Sequence, residues 1–433
     1  MFVTSSLGTN EKGHLTIGGA DAVELAQKFG TPLYVLDERT IRGHCRAFSR
    51  SLTEDYAGDG LVLYASKALA CKELYRIMKD EGLGVDVVSG GELYTALSVG
   101  FPAEKIYFHG NNKTEEELRY AISSGVGTIV IDNLEELDTV ASLSAHSSGK
   151  TVEIMLRIKP GIDAHTHDFI RTGQIDSKFG FALETGEAFE AVKKALSLDG
   201  VSLGGVHCHI GSQIFEYEPF EAAADTMLRF MRLVADKTGH TLKKLDLGGG
   251  FGIRYLIGDD AKLYRSFMCR LSKRIKATCD ETGFPLPYLL IEPGRSIVGP
   301  AGTTLYTVGA VKNIPNIRTY VLVDGGMCDN PRYTLYKSQY TAAIANRALE
   351  NPAGLFTIAG RCCESGDLIQ ENAPLQSCKK GDILAVFCTG AYNYSMASNY
   401  NRFPRPEMIM ITNGEPRVII KRETYEDIIR NDL

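Results

Sequence analysis

LVLYASKALACKELYRIMKDEGLGVDVVSGGEL, residues 61–93, contains two short apolar runs, LVLYA at 61–65 and VDVV at 85–88. Both are rich in the β-branched and aromatic residues that strands favour, and each carries a charged group at or just beyond its end, Lys67 and Asp86. The same beat continues along the chain at KIYFH (105–109), TIVI (128–131), VEIMLRI (152–158), LGGVHCHI (203–210), LKKLDL (242–247) and PYLLIE (287–292). Between these runs lie segments of helical periodicity, such as GELYTALSVGF at 91–101, TEEELRYAISS at 114–124 and the long stretch 217–239. With the earlier run LYVL at 33–36 set aside, eight strands alternating with helices predict a closed parallel (β/α)8 barrel, with a doubly wound sheet as the alternative. The barrel is favoured because the runs end in groups suited to chemistry: Lys67, Asp86, His109, Asp132, Arg157, His209, the triplet Gly248–Gly250 and Glu292. Active sites of such barrels sit at the carboxyl ends of the strands.

Beyond about residue 300 the texture changes to short strands separated by Gly, Pro and Asp: TLYTVGAVK, RTYVLVD, LFTIAG, ILAVFC and EMIMIT. This reads as a separate all-β domain. The amino-terminal segment, with a short helix from Asp21 to Gly30 capped by Asp21, precedes the barrel and is expected to join the β domain. The expected division is a barrel at 36–299 and a β domain of 1–35 with 300–433. A length of 433 residues fits two domains, and 44% hydrophobic with 23% charged residues is a globular composition. No apolar run approaches the roughly 20 residues of a membrane helix, and the start of the chain lacks a secretory pattern, so a cytoplasmic protein is expected. A net charge of −6 without a basic cluster argues against a nucleic-acid partner. Ten scattered cysteines, with no C-x-x-C, match neither a disulfide framework nor a zinc knuckle and read as reduced thiols.

Taken singly, the chemical residues are ambiguous. Lys67 could be a solvated surface lysine, although a lysine whose burial lowers its pKa can form a Schiff base. GGGFG at 248–252 can present backbone N–H groups to a phosphate, but no Gly-Lys-Ser/Thr follows and the dinucleotide context is incomplete. EPGR at 292–295 offers a carboxylate, a turn glycine and a guanidinium able to pair with phosphate or carboxylate. His207 and His209 lie two apart on a strand, a poor zinc site without a third ligand at matching distance; a ring stacked on a flat cofactor suits His209 better, and no metal is expected.

Taken together, YASKA, VDVVSGGEL, FHGNNK, SKFGF, HCHIGSQ, LGGGFG, IEPGR, CCESGD and TGAYNYSMASNYNR, in this order and spread over essentially the whole chain, resemble the diaminopimelate decarboxylases. The resemblance implies an alanine-racemase-like architecture, a barrel binding pyridoxal 5'-phosphate plus a β domain, and conversion of meso-2,6-diaminopimelate to L-lysine and carbon dioxide. It implies that Lys67 holds the cofactor, that His209 stacks on its ring, that Glu292 binds the ring nitrogen and that Asp86 supports them. Ser212, Gly248, Gly249, Gly250, Gly294, Arg295 and Tyr392 would hold the phosphate. Arg295, Arg332, Tyr336 and Tyr392 would surround the retained carboxylate, Glu364 would face the distal ammonium and Cys363 would donate the proton. In the family the last two reach the site from a second subunit, so a homodimer with shared active sites is implied. One departure is DNPRYTLY at 329–336, where Pro331 precedes Arg332 and Tyr333–Thr334 follow it; the spacing of Arg332 and Tyr336 is kept, but the path of the loop is in question.

The rivals are a sister decarboxylase acting on ornithine, arginine or another amine precursor, a racemase on the same fold, and a catalytically silent homologue. Arg332, Tyr336 and SMASNYN argue against the first and the CESGD motif against the second. Intact Lys67, His209, Glu292 and Cys363 argue against the third.

Overall fold

The computed structural model describes residues 2–146, 151–162 and 177–433. The chain forms two compact units, one of His44–Gly252 with Ala261–Gly294 and one of Met1–Gly43, Ile253–Asp260 and Arg295–Leu433.

The first unit is a barrel. Its strands are β1 (Gly60–Ala65), β2 (Gly84–Val87), β3 (Ile106–Phe108), β4 (Thr128–Ile131), β5 (Val152–Lys159), β6 (Val201–His207), β7 (Lys244–Asp246) and β8 (Tyr288–Ile291). Each pairs in parallel with the next, and β8 pairs in parallel with β1, which closes the ring and excludes the doubly wound alternative. Leu63, Tyr107, Val130, Met155 and Leu290, from five different strands, form one buried apolar layer, the kind of filling a closed barrel requires. The helices begin where capping residues place them. Ser89 accepts the N–H of Glu92 at the start of Gly90–Leu97, and Thr114 with Glu117 forms a capping box on Glu115–Ser123. The long helix Glu218–Thr238 stops at Gly239, whose φ of 75° suits a glycine cap. Only the four-residue turn Arg295–Val298 follows β8. Ahead of β1, the wide turn Leu52–Tyr56 packs on helix Tyr264–Thr282, and the ring of Phe48 stacks on Tyr264 at 4.6 Å.

The second unit is mostly β. Its sheet runs in the order Leu368–Leu375, Gly354–Ala359, Arg318–Val323, Gly302–Ile314, Leu33–Asp37, Glu407–Thr412, Glu415–Ile420. Strand Gly302–Ile314 serves two neighbourhoods. Its first half pairs with Leu33–Asp37 and Ile383–Phe387, and past a bulge near Gly309 its second half pairs with Arg318–Val323. The run at 33–36, set aside from the barrel count, is therefore a central strand of this unit, buried along its whole length. Helix Ala22–Phe29 forms as its cap predicts: Asp21 accepts the N–H of Val23 and Glu24, and Gly30 ends it at φ 71°. Strands Ala342–Ile344, Leu368–Leu375 and Glu415–Ile420 were not anticipated. The second of these contains Asn372 at φ 52° and Pro374, residues that strands tolerate at bulges and edges.

Candidate active site

At the carboxyl ends of the barrel strands, buried ionisable groups converge. Lys67 sits in the tight turn Ser66–Ala68 directly after β1. Its Nζ lies 3.9 Å from Oδ2 of Asp86 on β2; the lysine side chain is 39% exposed and the aspartate 1%. Neither carboxylate oxygen of Asp86 has a hydrogen-bond partner among the described residues. Burial raises its pKa, with Glu292 adding to the rise and His109 and Lys67 opposing it. Gly294 completes the contact between the last strand and the first, since a Cβ there would meet Ala65 at 2.9 Å and Ala68 at 3.1 Å.

β6 and β7 build a cradle. Nδ1 of His209 accepts the N–H of Gly249 at 3.2 Å, so that nitrogen carries no proton and the ring is neutral. Burial and the nearby Lys67 hold its pKa well below the ordinary histidine value, in agreement with that tautomer. The loop at Ser212 lies along the glycine run: Ile214 donates to Gly250 O at 2.9 Å and Gly252 to Ile214 O at 3.0 Å. No side chain fits on the glycines. A Cβ would come within 2.7 Å of Cys208 O at Gly248, 2.2 Å of Glu292 O at Gly249 and 2.6 Å of Gly211 O at Gly250. Gly248 and Gly250 also have φ of 68° and 108°. Bare backbone in these conformations is how a loop brings N–H groups up to a phosphate.

Glu292 follows β8 and is sealed in the barrel. Oε1 lies 2.9 Å from Nε2 of His109 and Oε2 lies 3.4 Å from Nε2 of His207. The His109 contact is off the hydrogen-bond direction, so Oε1 has no hydrogen-bond partner among the described residues. Burial alone would raise this carboxyl, but the two imidazoles outweigh it and hold its pKa well below the usual range. His207 itself is driven to about 3 by burial, and Asp246, at the end of β7, is pushed up by burial and by Glu292. The barrel thus keeps one carboxylate ionised with a vacant acceptor. These donors fit pyridoxal phosphate well, with an anion for a protonated ring nitrogen, a neutral ring to stack, an amine beside a carboxylate and a glycine cradle for the phosphate. The three ligating atoms of His109, His207 and Glu292 also lie within 4.8 Å of one another, a spacing a cation could use. In the sequence His109 was marked only as a strand end. Its signal was its place in the series of strand-end residues, but nothing local says that it faces Glu292.

The β unit gathers a different set. Arg295 is 7% exposed, its Nη1 donates to Tyr255 Oη at 2.7 Å, and its guanidinium lies 4.8 Å from the ring of Tyr392. Arg332, 8% exposed, lies over the other aromatic neighbours, 5.4 Å from Tyr392 and 5.1 Å from Tyr336. The departure at 329–336 resolves into a short helix, Arg332–Tyr336, started by Pro331 at φ −80° and ended by Lys337 at φ 52°. That places Arg332 and Tyr336 one turn apart on one face. Among the described residues no carboxylate pairs with Arg332, and its buried Nε has no acceptor. Cys363 and Glu364 are exposed on a loop of this unit, and all ten cysteines are free thiols.

A barrel that presents a lysine, a neutral histidine, a glycine cradle and a sealed carboxylate at its strand ends defines the class of the pyridoxal-dependent decarboxylases. The model for the pyridoxal binding domain of that class matches residues 38–299. Within the class, diaminopimelate decarboxylase of Bacillus subtilis is 49% identical over 100% of this chain and 98% of its own, and that of Staphylococcus aureus is 45% identical over 98% of both. The crystal structure of diaminopimelate decarboxylase from M. jannaschii in complex with L-lysine superposes with a TM-score of 0.91 at 35% identity, covering 100% of this chain and 99% of that one. The chain belongs to the diaminopimelate decarboxylase family. Among the described residues no helix is long and apolar enough to cross a membrane.

Proposed function

We propose that this protein binds pyridoxal 5'-phosphate and decarboxylates meso-2,6-diaminopimelate to L-lysine, the last step of lysine synthesis. The observation that carries the reading is the ionised, buried Glu292 at the end of β8, beside the strand that leads to Lys67.

Lys67 Nζ would hold the cofactor, with Asp86 as the adjacent counter-charge. His209 packs against the ring through a face that its neutral state leaves free of charge repulsion. Glu292 would keep a proton on the ring nitrogen, and the bare backbone of Gly248–Gly250, with Ser212 and Gly294, would receive the phosphate. When bound, the cofactor supplies the electron sink for the pair left on carbon as carbon dioxide departs. To the β unit the proposal assigns Arg295 and Tyr392 on the phosphate. With Arg332 and Tyr336 these two also surround the retained carboxylate, a buried guanidinium being best relieved by an anion. Glu364 meets the distal ammonium. Cys363 Sγ gives its proton to the carbon that lost carbon dioxide and recovers one from water, so one proton is consumed per turnover. Because Cys363 and Glu364 lie exposed on this chain, the proposal has them act in the site of a second copy, in a cytoplasmic homodimer.

The test is release of lysine and carbon dioxide from meso-diaminopimelate with added pyridoxal phosphate, beside ornithine, arginine and lysine. Lysine formed from meso-diaminopimelate alone supports the reading; comparable turnover of ornithine refutes it, because a site built around a carboxylate rejects ligands that lack one by about 10⁴-fold or more.

A further inference from the structure

Two loops of the β unit, 360–367 and 399–402, are joined through their backbones. The N–H of Cys363 donates to Oδ1 of Asn401 at 2.8 Å, and the N–H of Cys362 donates to Oδ2 of the buried Asp367 at 2.6 Å. The other oxygen of Asp367 takes the N–H of Met327 at 2.6 Å. Gly326 and Gly360 close over that carboxylate, where a Cβ would come within 2.5 Å and 2.3 Å of its oxygens. The second loop is anchored in its turn. Asn399 Nδ2 donates to Phe403 O at 3.0 Å and to Glu423 at 2.6 Å, and Glu423 also receives Arg405. Asn401 and Arg402 stand at φ 53° and 59°, a conformation Asn tolerates better than most residues. Exposed loops are ordinarily mobile. This one carries two exposed side chains, Cys363 and Glu364, on a backbone held at the consecutive amides of Cys362 and Cys363.

We propose that Asn401 is a positioning residue: it fixes the backbone of Cys363 so that its thiol meets the reacting carbon from one side. This rests on the decarboxylase reading above. A proton donor that wanders by an ångström delivers its proton late and to either face of the carbon, so the brace governs both rate and stereochemistry.

The test uses the full-length, pyridoxal phosphate-loaded protein with Asn401→Gly, which keeps the left-handed backbone but removes the acceptor, and Asn401→Asp, which keeps both. Amide hydrogen exchange is read over residues 360–367, together with kcat, KM and the configuration of the deuterium that lysine acquires in D2O. Asn401→Gly should exchange faster in that loop by about tenfold, the loss of one hydrogen bond. Its kcat should fall roughly tenfold or more with KM within about twofold, and its lysine should carry mixed labelling. Asn401→Asp should match the wild type. Unchanged exchange and a single labelled configuration in Asn401→Gly would overturn the proposal, as would an Asn401→Asp that fails equally. A wild-type protein that releases no lysine at all would instead overturn the parent reading, whatever the exchange shows.

Discussion

Glu292 and Glu364 are carboxylates with opposite surroundings. The first is sealed at the end of β8 between two imidazoles; the second stands exposed on a loop of the β unit. The barrel fixes charge by burial, so its electrostatics are built into one chain. The β unit fixes position by hydrogen bonds and leaves its charges in water, where they are worth little until another surface covers them. In the proposed reading the contrast divides the labour: the barrel conditions a cofactor, and the exposed loop meets a substrate.

The barrel side should break hardest. Lys67→Ala is expected to lose lysine release by on the order of 10³-fold or more, together with the Schiff-base absorbance band. Glu292→Gln, which cannot stay ionised among the histidines, should lower kcat by about 10²–10³-fold while the protein still takes up cofactor, as titration of that band will report. The exposed side should show its effect through partnership. Mixing inactive Lys67→Ala with inactive Cys363→Ala should restore up to about a quarter of the wild-type activity if each site draws on two copies, since half the dimers would hold one intact site. No recovery after subunit exchange would mean that each chain works alone. Chelation by EDTA should leave activity unchanged; a loss would assign the His109, His207 and Glu292 cluster to a cation.

The smallest effect concerns stability. Glu92, on the helix after β2, accepts the N–H of Val88 at 2.8 Å, and burial chiefly raises its pKa from 4.5 to about 7. A carboxyl that binds its proton more tightly in the fold than in the unfolded chain loses stabilising effect as pH climbs between those values. Glu92→Gln should therefore raise the Tm relative to wild type by about 2–4 °C at pH 8 and by less at pH 5, read by thermal scans.

The barrel was legible because its strands are short, mostly buried apolar runs that alternate with helical segments, each ending at or near a polar group. The β unit was less so. Strand Leu368–Leu375 reads LIQENAPL, whose Gln, Glu, Asn and Pro carry no strand signal, and it pairs at the edge of its sheet. Helix Ala22–Phe29 was readable from its cap alone, a local device. What stayed hidden is long-range: that His109 faces Glu292, and that Asn401 lies against Cys363, are facts of closure and packing that no window of sequence contains. Pro331 was visible as a departure, but only the structure shows that it starts a helix instead of disrupting the spacing of Arg332 and Tyr336.

Closing β8 onto β1 has a consequence for synthesis. Lys67 follows the first strand of that seam and Glu292 the last, so a ribosome must release the chain past Glu292 before the ring that holds them both can close. A chain cut anywhere between them leaves an open sheet with two unpaired edges.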